Sequence, residues 1–424
     1  MQNEVLSKAQ KAKSISSTLA GFTQEDRSAL LLTIADKLNE NAAYILQENS
    51  RDVEQAKKNK VSDALIDRLR LNEERLKAIT EAVRDIASLP DPTGEILWEE
   101  DRPNGLHIKQ VRVPIGVIGV IYEARPNVTV DISSLALKTG NTVLLRGSSS
   151  TIHSNKAITS VIQKALETSG FPPESVQLIE NTDRTLTKSL FTAREYIDVI
   201  IPRGGKALID TVVRESEVPV IETGAGNCHI YIDESAEEKL ARTIAVDAKV
   251  QRPSVCNACE TFLIHESWAE SHLTALTGDL LSHGVTLKGD ATSRALDSRI
   301  EAAEDADWDT EFLALTAAVK IVSGVQEAVS HIQKHGTKHS EAVLTETPEV
   351  VEAFFNQVDA STLYHNASTR FTDGFEFGFG AEVGISTQKL HARGAMGLPA
   401  LTTTKYLVQG SGQTKGNLPL HEKH

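Results

Sequence analysis

The sequence predicts an α/β protein with two doubly wound α/β domains, a helical N-terminus and a small polar arm. From Pro114 onward, short β-branched apolar runs alternate with stretches of helical periodicity. Continuous apolar runs are typical of strands buried on both faces, and their alternation with helices indicates a parallel sheet. In such a sheet the ligand binds at the carboxyl ends of the strands.

Composition narrows the class of protein. The chain has 424 residues with 44 basic and 58 acidic side chains, a formal charge of −14, and no aromatic-rich basic stripe. This balance disfavours a nucleic-acid partner. The longest apolar run, "VPIGVIGVIY", is far shorter than the roughly 18 residues of a membrane span, and the start lacks an apolar leader. We expect a soluble cytoplasmic protein, and three cysteines suit a reducing compartment.

Helical periodicity dominates the N-terminal part of the chain. Thr23 and Asp26 form a capping-box pattern, and apolar residues at four-residue spacing then predict a helix over residues 24–48. Asn72 is a second N-cap candidate, with two glutamates in the first turn after it.

Short apolar runs mark the candidate strands. The first set is "GVIGVIY", "TVLLR", "SVQLI", "YIDVII" and "VPVIE"; a second set, beginning near Asn227, is "CHIYID", "TFLIH", "AAVKIV", "EAVLT" and "STLYH". Residues 96–113 and much of the chain after Ser386 are polar and alternating, which fits either an arm between subunits or a plain surface hairpin. We therefore divide the chain into residues 1–225, with the arm inserted at 96–113, residues 226–385, and residues 386–424, which return to the arm and end in a tail.

Two turns in residues 1–225 are candidates for nucleotide binding. In "PRGGKALIDTVV", Gly204 and Gly205 open a helix directly after a strand, and Lys206 lies in its first turn. Free backbone N–H groups at such a start bind phosphate, although the pattern is not G-x-G-x-x-G and an ordinary strand-to-helix turn fits it equally well.

The second turn lies in "VLLRGSSSTIHSN". Arg146, Gly147 and Ser148 follow a strand at the place where an NAD-preferring fold usually has an acidic residue. An arginine with hydroxyl groups suits a 2′-phosphate and therefore NADP. The alternative is that Arg146 only ends a strand in solvent.

The cysteines raise three chemical alternatives. Cys256 and Cys259 are three residues apart, but there is no second C-x-x-C to complete a zinc site, and the polar segment before them does not fit a redox dithiol. We favour Cys256 as a lone nucleophile whose thiolate is promoted by the nearby Arg252 and Lys249. Cys259 is then a small apolar filler, and we expect no metal site.

At this point a family resemblance is apparent. The blocks "IYEARPNVTVD", "VIETGAGNCHIYID", "VQRPSVCNACET", "KHSEAVLTE" and "FEFGFGAEVGISTQKLHARGAMGL" stand in the order seen in one branch of the aldehyde dehydrogenase superfamily. The chain resembles that branch over nearly its whole length. The resemblance implies an aldehyde dehydrogenase-like fold in which residues 1–225 bind NADP and residues 226–385 carry the catalytic cysteine.

The same resemblance implies an activity. The branch reduces L-glutamate 5-phosphate to L-glutamate 5-semialdehyde with NADPH, releases phosphate through a cysteine thioester, and so performs the second step of proline biosynthesis from glutamate. It also implies a cytoplasmic homo-oligomer. Because the acyl phosphate is unstable in water, a physical contact with glutamate 5-kinase is a further expectation.

Site roles follow from matching positions. Cys256 matches the superfamily's nucleophile, and Asn127 matches the amide that stabilises the oxyanion. Glu222 matches the glutamate of "E-L-G-G-K", but the motif here is "ETGAGN", so we expect only a secondary role. Arg146 falls where the superfamily contacts the adenosine ribose, and Glu311 falls near the residue that contacts the nicotinamide ribose.

The implied substrate carries a phosphate, an α-carboxylate and an α-ammonium group, so its pocket needs cations and an acid. The candidates in the branch-specific blocks are Glu123, Arg125, Arg252, His391 and Arg393. The alternative for each is a solvated surface charge. Two other functions stay open: a related dehydrogenase that oxidises a free aldehyde with NAD, and a nucleotide-binding or zinc-held interaction protein that is not an enzyme.

Overall fold

The computed structural model describes residues 3–183 and 185–416. The chain forms two compact units: the first comprises Met1–Gly119, Ala124–Val199 and Leu398–His424, and the second comprises Val120–Glu123 and Ile200–Gly397. The functional division that the sequence predicts between residues 225 and 226 remains a prediction.

The α-helices are α1 Glu4–Ala20, α2 Gln24–Glu40, α3 Ala42–Lys58, α4 Asp63–Leu69, α5 Glu73–Ser88, α6 Asn127–Lys138, α7 Ile152–Thr168, α8 Thr185–Phe191, α9 Lys206–Glu215, α10 Glu238–Val250, α11 Glu266–Ser282, α12 Ala291–Leu296, α13 Val325–His335 and α14 Pro348–Gln357. Short 3₁₀ helices span Ser149–Thr151, Pro173–Ser175, Asp305–Asp309, Thr369–Phe371 and Leu398–Leu401.

The strands are β1 Ile96–Asp101, β2 His107–Pro114, β3 Val117–Tyr122, β4 Thr142–Arg146, β5 Val176–Leu178, β6 Val199–Arg203, β7 Cys228–Ile232, β8 Cys259–His265, β9 Thr286–Gly289, β10 Glu301–Ala302, β11 Thr316–Val322, β12 Ser340–Leu344, β13 Thr362–His365, β14 Ile385–Ser386, β15 Gly394–Ala395 and β16 Thr402–Gln409.

The N-terminal helices confirm the capping predictions and correct one length. The Thr23 hydroxyl accepts a hydrogen bond from the Asp26 N–H at 3.1 Å, and Asp26 accepts one from the Thr23 N–H at 3.0 Å. Asn72 caps α5 as expected. The single helix predicted over residues 24–48 is wrong, because Asn41 leaves helical geometry and its amide bonds back to the Lys37 carbonyl at 2.8 Å.

A four-stranded sheet has the order β5–β4–β3–β6, and β4 pairs with β5 in parallel. All six residues of β3 are buried, as its continuous apolar run predicts. The predicted strand "VPVIE" is wrong: it contributes one isolated bridge, between Ile200 and Val220. The physical reason is Pro219, which has no N–H to donate to a ladder and supplies only its carbonyl, to the Ile200 N–H at 2.8 Å.

The second unit contains a seven-stranded sheet with the order β10–β9–β11–β8–β7–β12–β13, and every neighbouring pair is parallel. Successive residues alternate between two cores: Ile230 and Phe262 join a cluster with α10 and α11, whereas Tyr231 and Leu263 join one with α13 and α14. Helices on both faces explain why the central strands read as uninterrupted apolar runs. The doubly wound α/β fold is confirmed.

The polar segments form a separate three-stranded antiparallel sheet, β1–β2–β16. Strand β16 pairs with β2 from Thr402 opposite Pro114 to Gln409 opposite His107. The segment at 96–113 thus pairs with the returning C-terminal part of the same chain, and whether it also joins subunits remains a prediction. Residues 417–424 of the predicted tail lie outside the described residues. Within the described ranges, no helix combines the length and the apolar character needed to cross a membrane.

Candidate active site

The nucleophile candidate lies on a loop between α10 and β8, residues 251–258, which we call the nucleophile loop. Pro253 cannot continue helix α10, so the chain turns before it enters β8. Cys256 is half-buried there. The loop precedes β8, so Cys256 lies at the amino end of the parallel sheet, whereas the sequence led us to expect ligands at the carboxyl ends.

The three cysteines are all thiols, but their surroundings differ. Cys228 and Cys259 are fully buried, and burial raises the pKa of each thiol well above its usual range. These two thiols therefore stay protonated and are weak nucleophiles. Cys259 is the first residue of β8 and lies in the core, in agreement with its predicted role as a small apolar side chain.

Residues at and just before the start of β7 contact the carbonyl group of Cys256. The Cys228 thiol donates to the Cys256 carbonyl oxygen over 3.3 Å. A Cβ added to Gly226 would lie 1.4 Å from the same oxygen, so no side chain fits at that position. The second glycine of "ETGAGN" is thus required by close approach of the nucleophile loop.

The "ETGAGN" loop, residues 222–227, is anchored by side chains from distant segments. The Gly226 N–H donates to the Glu311 carboxylate at 2.8 Å, and the Asn227 amide donates to the carbonyls of Trp308 and His335 at 2.8 and 2.9 Å. The Glu222 N–H donates to Gln388 at 3.1 Å. One carboxylate oxygen of Glu311 therefore accepts a hydrogen bond from the backbone of Gly226, which lies next to Cys256.

Lys249 forms a buried ion pair that the sequence did not predict. Its ammonium group is fully buried and donates to Glu260 at 2.5 Å. Glu260 also accepts from the Leu313 N–H at 3.2 Å, and burial raises its pKa to about 7. The pair connects the two ends of the nucleophile loop, and Glu260 compensates the charge of Lys249.

Sequence reasoning missed Arg370, which lies beside the nucleophile loop. The Asn257 amide donates to the carbonyls of Arg370 and Thr372 at 3.1 and 2.9 Å, and the Thr369 hydroxyl donates to the Asn257 carbonyl at 2.7 Å. The Arg370 guanidinium donates twice to the Gln251 side chain, at 3.0 and 2.9 Å. No local pattern marks this arginine, because its neighbours come from more than a hundred positions away.

The first cofactor candidate is the turn after β4. The Arg146 guanidinium donates to the Gly147 carbonyl and, at 3.1 Å, to the Thr182 carbonyl. Ser148 caps the 3₁₀ helix that follows by accepting from the Ser150 N–H at 3.3 Å. Arg146 is therefore folded onto its own backbone rather than extended into solvent, and its side chain is half-buried.

The second cofactor candidate is the turn after β6. The Gly205 N–H donates to the Glu123 carboxylate at 3.0 Å at the start of α9, where Lys206 is exposed. A Cβ on Gly204 would lie 2.7 Å from the Glu123 carboxyl carbon. The N–H group of this turn thus binds an anionic oxygen, which a phosphate site also has to do. Glu123, expected on the substrate side, lies with the cofactor candidates.

The other substrate candidates fall in different surroundings. Arg393 pairs with Asp359 at 2.6 Å. His391 has a positive φ of 61° and is exposed. Arg125 is exposed too, and so is Arg252 on the nucleophile loop. Their predicted convergence on one substrate pocket remains a prediction.

Asn127 opens α6 in the first unit, and its amide donates to Asp131 at 2.9 Å. Its predicted pairing with Cys256, in the second unit, remains a prediction. Across residues 3–183 and 185–416, histidine, cysteine and acidic side chains form no group of three or more that is suited to a metal ion.

Comparison with known proteins gives a consistent result. Residues 1–293 match the family described as the aldehyde dehydrogenase family. A Bacillus mycoides protein named gamma-glutamyl phosphate reductase is 58% identical over 413 residues, which cover 97% of this chain and 100% of the relative.

Solved structures agree. The crystal structure of gamma-glutamyl phosphate reductase from Thermotoga maritima has a TM-score of 0.95 and 46% identity, covering 97% of this chain and 100% of that one. An acetylating aldehyde dehydrogenase from Geobacillus thermoglucosidasius, at 18% identity and a TM-score of 0.69 over 98% of both chains, shares the fold. This chain belongs to the aldehyde dehydrogenase family, in the group of proteins named gamma-glutamyl phosphate reductase.

Proposed function

We propose that this protein reduces L-glutamate 5-phosphate to L-glutamate 5-semialdehyde with NADPH and releases phosphate, which is the second step of proline biosynthesis from glutamate. The observation that carries the proposal is the half-buried Cys256 thiol on a loop held in place by Cys228 and Gly226. It occurs in a chain 58% identical to a protein named for this reduction.

The first step is thiolate attack on the acyl phosphate. A bond forms between the Cys256 sulfur and the γ-carbonyl carbon, and the carbonyl oxygen becomes an oxyanion. We assign the Asn127 amide and the Cys256 N–H as its hydrogen-bond donors. The bond from carbon to the phosphate oxygen then breaks, phosphate leaves with its electron pair, and a thioester remains.

The second step regenerates the thiol. NADPH, when bound, supplies the hydride that reduces the thioester. Cys256 then departs as thiolate and leaves the aldehyde, and one proton from solvent ends on the released phosphate, which balances the reaction. A base that activated water beside the thioester would waste substrate, so Glu222 is not required as a base in this reaction.

The cofactor assignment rests on the two turns. Arg146, Gly147 and Ser148 would hold the adenosine ribose and its 2′-phosphate, which favours NADP. The Gly204–Gly205 turn and Lys206 would hold phosphate in place of the Glu123 carboxylate that Gly205 binds. Glu311 would contact the nicotinamide ribose through its second carboxylate oxygen, since the first accepts a hydrogen bond from the Gly226 N–H.

Assembly and location belong to the same proposal. Exposed apolar side chains on β1 and β16 support a homo-oligomer formed through the arm: Ile96, Leu97, Trp98, Tyr406, Leu407 and Val408. Three thiols suit a reducing compartment such as the cytoplasm. The instability of the acyl phosphate supports contact with glutamate 5-kinase, without identifying a surface.

The test is NADPH formation from NADP and glutamate semialdehyde, with and without inorganic phosphate, in wild type, Cys256→Ser and Cys259→Ala. We expect phosphate-dependent activity that Cys256→Ser abolishes and Cys259→Ala largely retains. Activity without phosphate would instead indicate a hydrolytic aldehyde dehydrogenase. Folded protein that binds NADP but shows no activity would indicate a binding protein.

A further inference from the structure

We propose that Arg370, assisted by Arg252, binds an anionic group of the substrate beside Cys256. This inference rests on the proposed function, because it assigns a partner to charges that the acyl phosphate substrate carries. Its phosphate and its α-carboxylate present the same chemistry to a guanidinium, namely oxygen atoms that share a negative charge. The experiment below distinguishes these two sources.

The position of Arg370 is fixed by the nucleophile loop itself. Three hydrogen bonds connect the segment 369–372 to Asn257, the residue that follows Cys256. Asn257 is 4% exposed, so these bonds are shielded from water and hold both segments in one arrangement. Arg370 therefore keeps its place relative to the nucleophile without help from a ligand.

The guanidinium is oriented by a neutral partner. Its Nε and Nη2 atoms both donate to the Gln251 side-chain oxygen, at 3.0 and 2.9 Å. Gln251 is the C-cap of α10 and the first residue of the nucleophile loop. A glutamine oxygen orients the group but brings no full negative charge, and the remaining N–H groups of the fork stay available to an oxyanion.

The two arginines lack a carboxylate partner. Among the described residues, neither Arg252 nor Arg370 takes part in an ion pair, although both lie at a half-buried or exposed edge of the loop. Burial lowers the pKa of Arg370, and the charge of Arg252 lowers it further. Two cations within electrostatic reach of each other are unfavourable until an anion joins them.

The negative charges that act on Arg370 include that of the nucleophile. The charges of Cys256, Asp247 and Asp373 raise the pKa of Arg370, and the effect of Cys256 is the largest of the three. The nucleophile is thus within electrostatic reach of the guanidinium. An anionic group of a substrate attacked by Cys256 would enter the same field.

The experiment follows protection of the Cys256 thiol in the full-length protein. Inactivation by iodoacetamide is timed at increasing concentrations of inorganic phosphate and, separately, of L-glutamate. The variants are Arg370→Gln, Arg370→Lys and Arg252→Gln. Arg214→Gln is the matched control, because Arg214 is exposed on α9 and pairs only with its neighbour Glu215 among the described residues. Thermal unfolding of each variant confirms that it is folded.

We expect one of the two anions to slow the inactivation of wild type by iodoacetamide. Arg370→Gln should need at least about tenfold more of that anion for the same protection. Arg370→Lys should lie between, since lysine keeps the charge but loses the planar fork. Arg252→Gln should have a smaller effect and Arg214→Gln none. Protection by phosphate assigns the acyl phosphate, and protection by L-glutamate assigns the α-carboxylate.

Equal protection in wild type and Arg370→Gln, or no protection of wild type by either anion, would overturn the inference. So would a changed pH dependence of alkylation with unchanged protection, because Arg370 would then act on the thiolate alone. Failure here is separable from failure of the proposed function: phosphate-dependent, Cys256-dependent activity with unchanged protection refutes only the role of Arg370.

Discussion

Two basic clusters in the second unit look alike in composition and differ in their partners. In the first, which we call the Asp359 cluster, Lys338, Lys389 and Arg393 surround Asp359 at 3.4, 3.0 and 2.6 Å. Hydrogen bonds from Arg393 and Lys389 hold the pKa of Asp359 well below its usual range. In the second, beside the nucleophile loop, the Arg370 guanidinium donates to the neutral Gln251 and forms no ion pair with any described residue.

The difference teaches what makes a cation available to a ligand. Arg393 lies in a branch-specific sequence block and Arg370 was not singled out, yet it is Arg393 that a carboxylate engages. A motif places a charge in the chain. Whether that charge is already compensated depends on a partner that the motif does not contain.

Asn127→Ala separates the stabilisation of the reacting oxygen from the binding of substrate charge. Removing one oxyanion donor costs about 10² to 10³ in turnover, so we expect a fall of that size in kcat. Variants of Arg370 should act on KM instead, because a ground-state charge contact is kept throughout the reaction. Steady-state kinetics with phosphate and glutamate semialdehyde varied in turn measure kcat and the KM for each substrate.

A loss below about tenfold would remove Asn127 from the oxyanion role. Glu222→Gln is the companion variant, and it should be much milder than Cys256→Ala, since no water has to be activated. Equal losses from Glu222→Gln and Cys256→Ala would overturn that account.

Gly226→Ala should damage the nucleophile side and leave the Asp359 cluster untouched. The added methyl group would stand 1.4 Å from the Cys256 carbonyl oxygen, so the loop must shift. A displacement near 1 Å at a reacting group can cost about 10² in rate, and we expect a loss of that order with a lower Tm.

Gly278→Ala is its matched control. Gly278 lies inside α11, and an added methyl would come no closer than 3.7 Å to Arg299. Alanine is the better helix former, so activity should be unchanged and Tm equal or slightly higher. Unchanged activity in Gly226→Ala would show that the loop tolerates movement.

Asp359→Asn should make the Asp359 cluster resemble the surroundings of Arg370. Asp359 is partly exposed, so we expect a loss of about 1 kcal/mol or less in unfolding free energy at pH 7. The three cations would then lack a carboxylate, and inorganic phosphate should raise Tm more than it does in wild type. Thermal unfolding across phosphate concentrations measures this.

Lys389→Gln is the control, because it removes one cation and leaves the Arg393–Asp359 pair. Its Tm should depend on phosphate as in wild type. If phosphate stabilises wild type and Asp359→Asn equally, compensation by Asp359 does not decide whether the cluster binds anions.

The buried histidines provide a third case, in which burial rather than a partner opposes the charge. Burial lowers the pKa of His331 from its ordinary value of 6.5 to about 3. The unfolded chain takes up this proton below about pH 6.5 and the folded protein does not, so stability is lost as pH falls from about 6.5 toward 3. Between pH 7.5 and 6 the loss should be below about 1 kcal/mol.

His331→Phe keeps an aromatic ring between Trp308 and His335 and removes the proton site. Its unfolding free energy should depend less steeply on pH between 6.5 and 4 than that of wild type. Parallel pH profiles for the two proteins would show that His331 does not titrate as its burial requires.

Local chemistry explains where sequence reasoning succeeded. Runs such as "CHIYID" and "TFLIH" are strands because both faces of each are covered, and Thr23 with Asp26 caps α2 through bonds three residues apart. The two errors in secondary structure were local as well: Asn41 ends a helix that periodicity continued, and Pro219 cannot donate within a ladder. More weight on those two residues would have corrected both.

The sequence by itself therefore determined the α/β class, the parallel strands and the family, and it predicted Cys256 as the nucleophile, because these depend on spacing, apolar patterning and near neighbours. Only the tertiary structure decided which charges meet. It brings Arg370 to the nucleophile loop across 113 positions, gives Arg393 to Asp359, and binds Lys249 to Glu260 inside the core. Compensation of a charge depends on distance in space, and the order of strands in the sheet, not the order of residues in the chain, sets that distance.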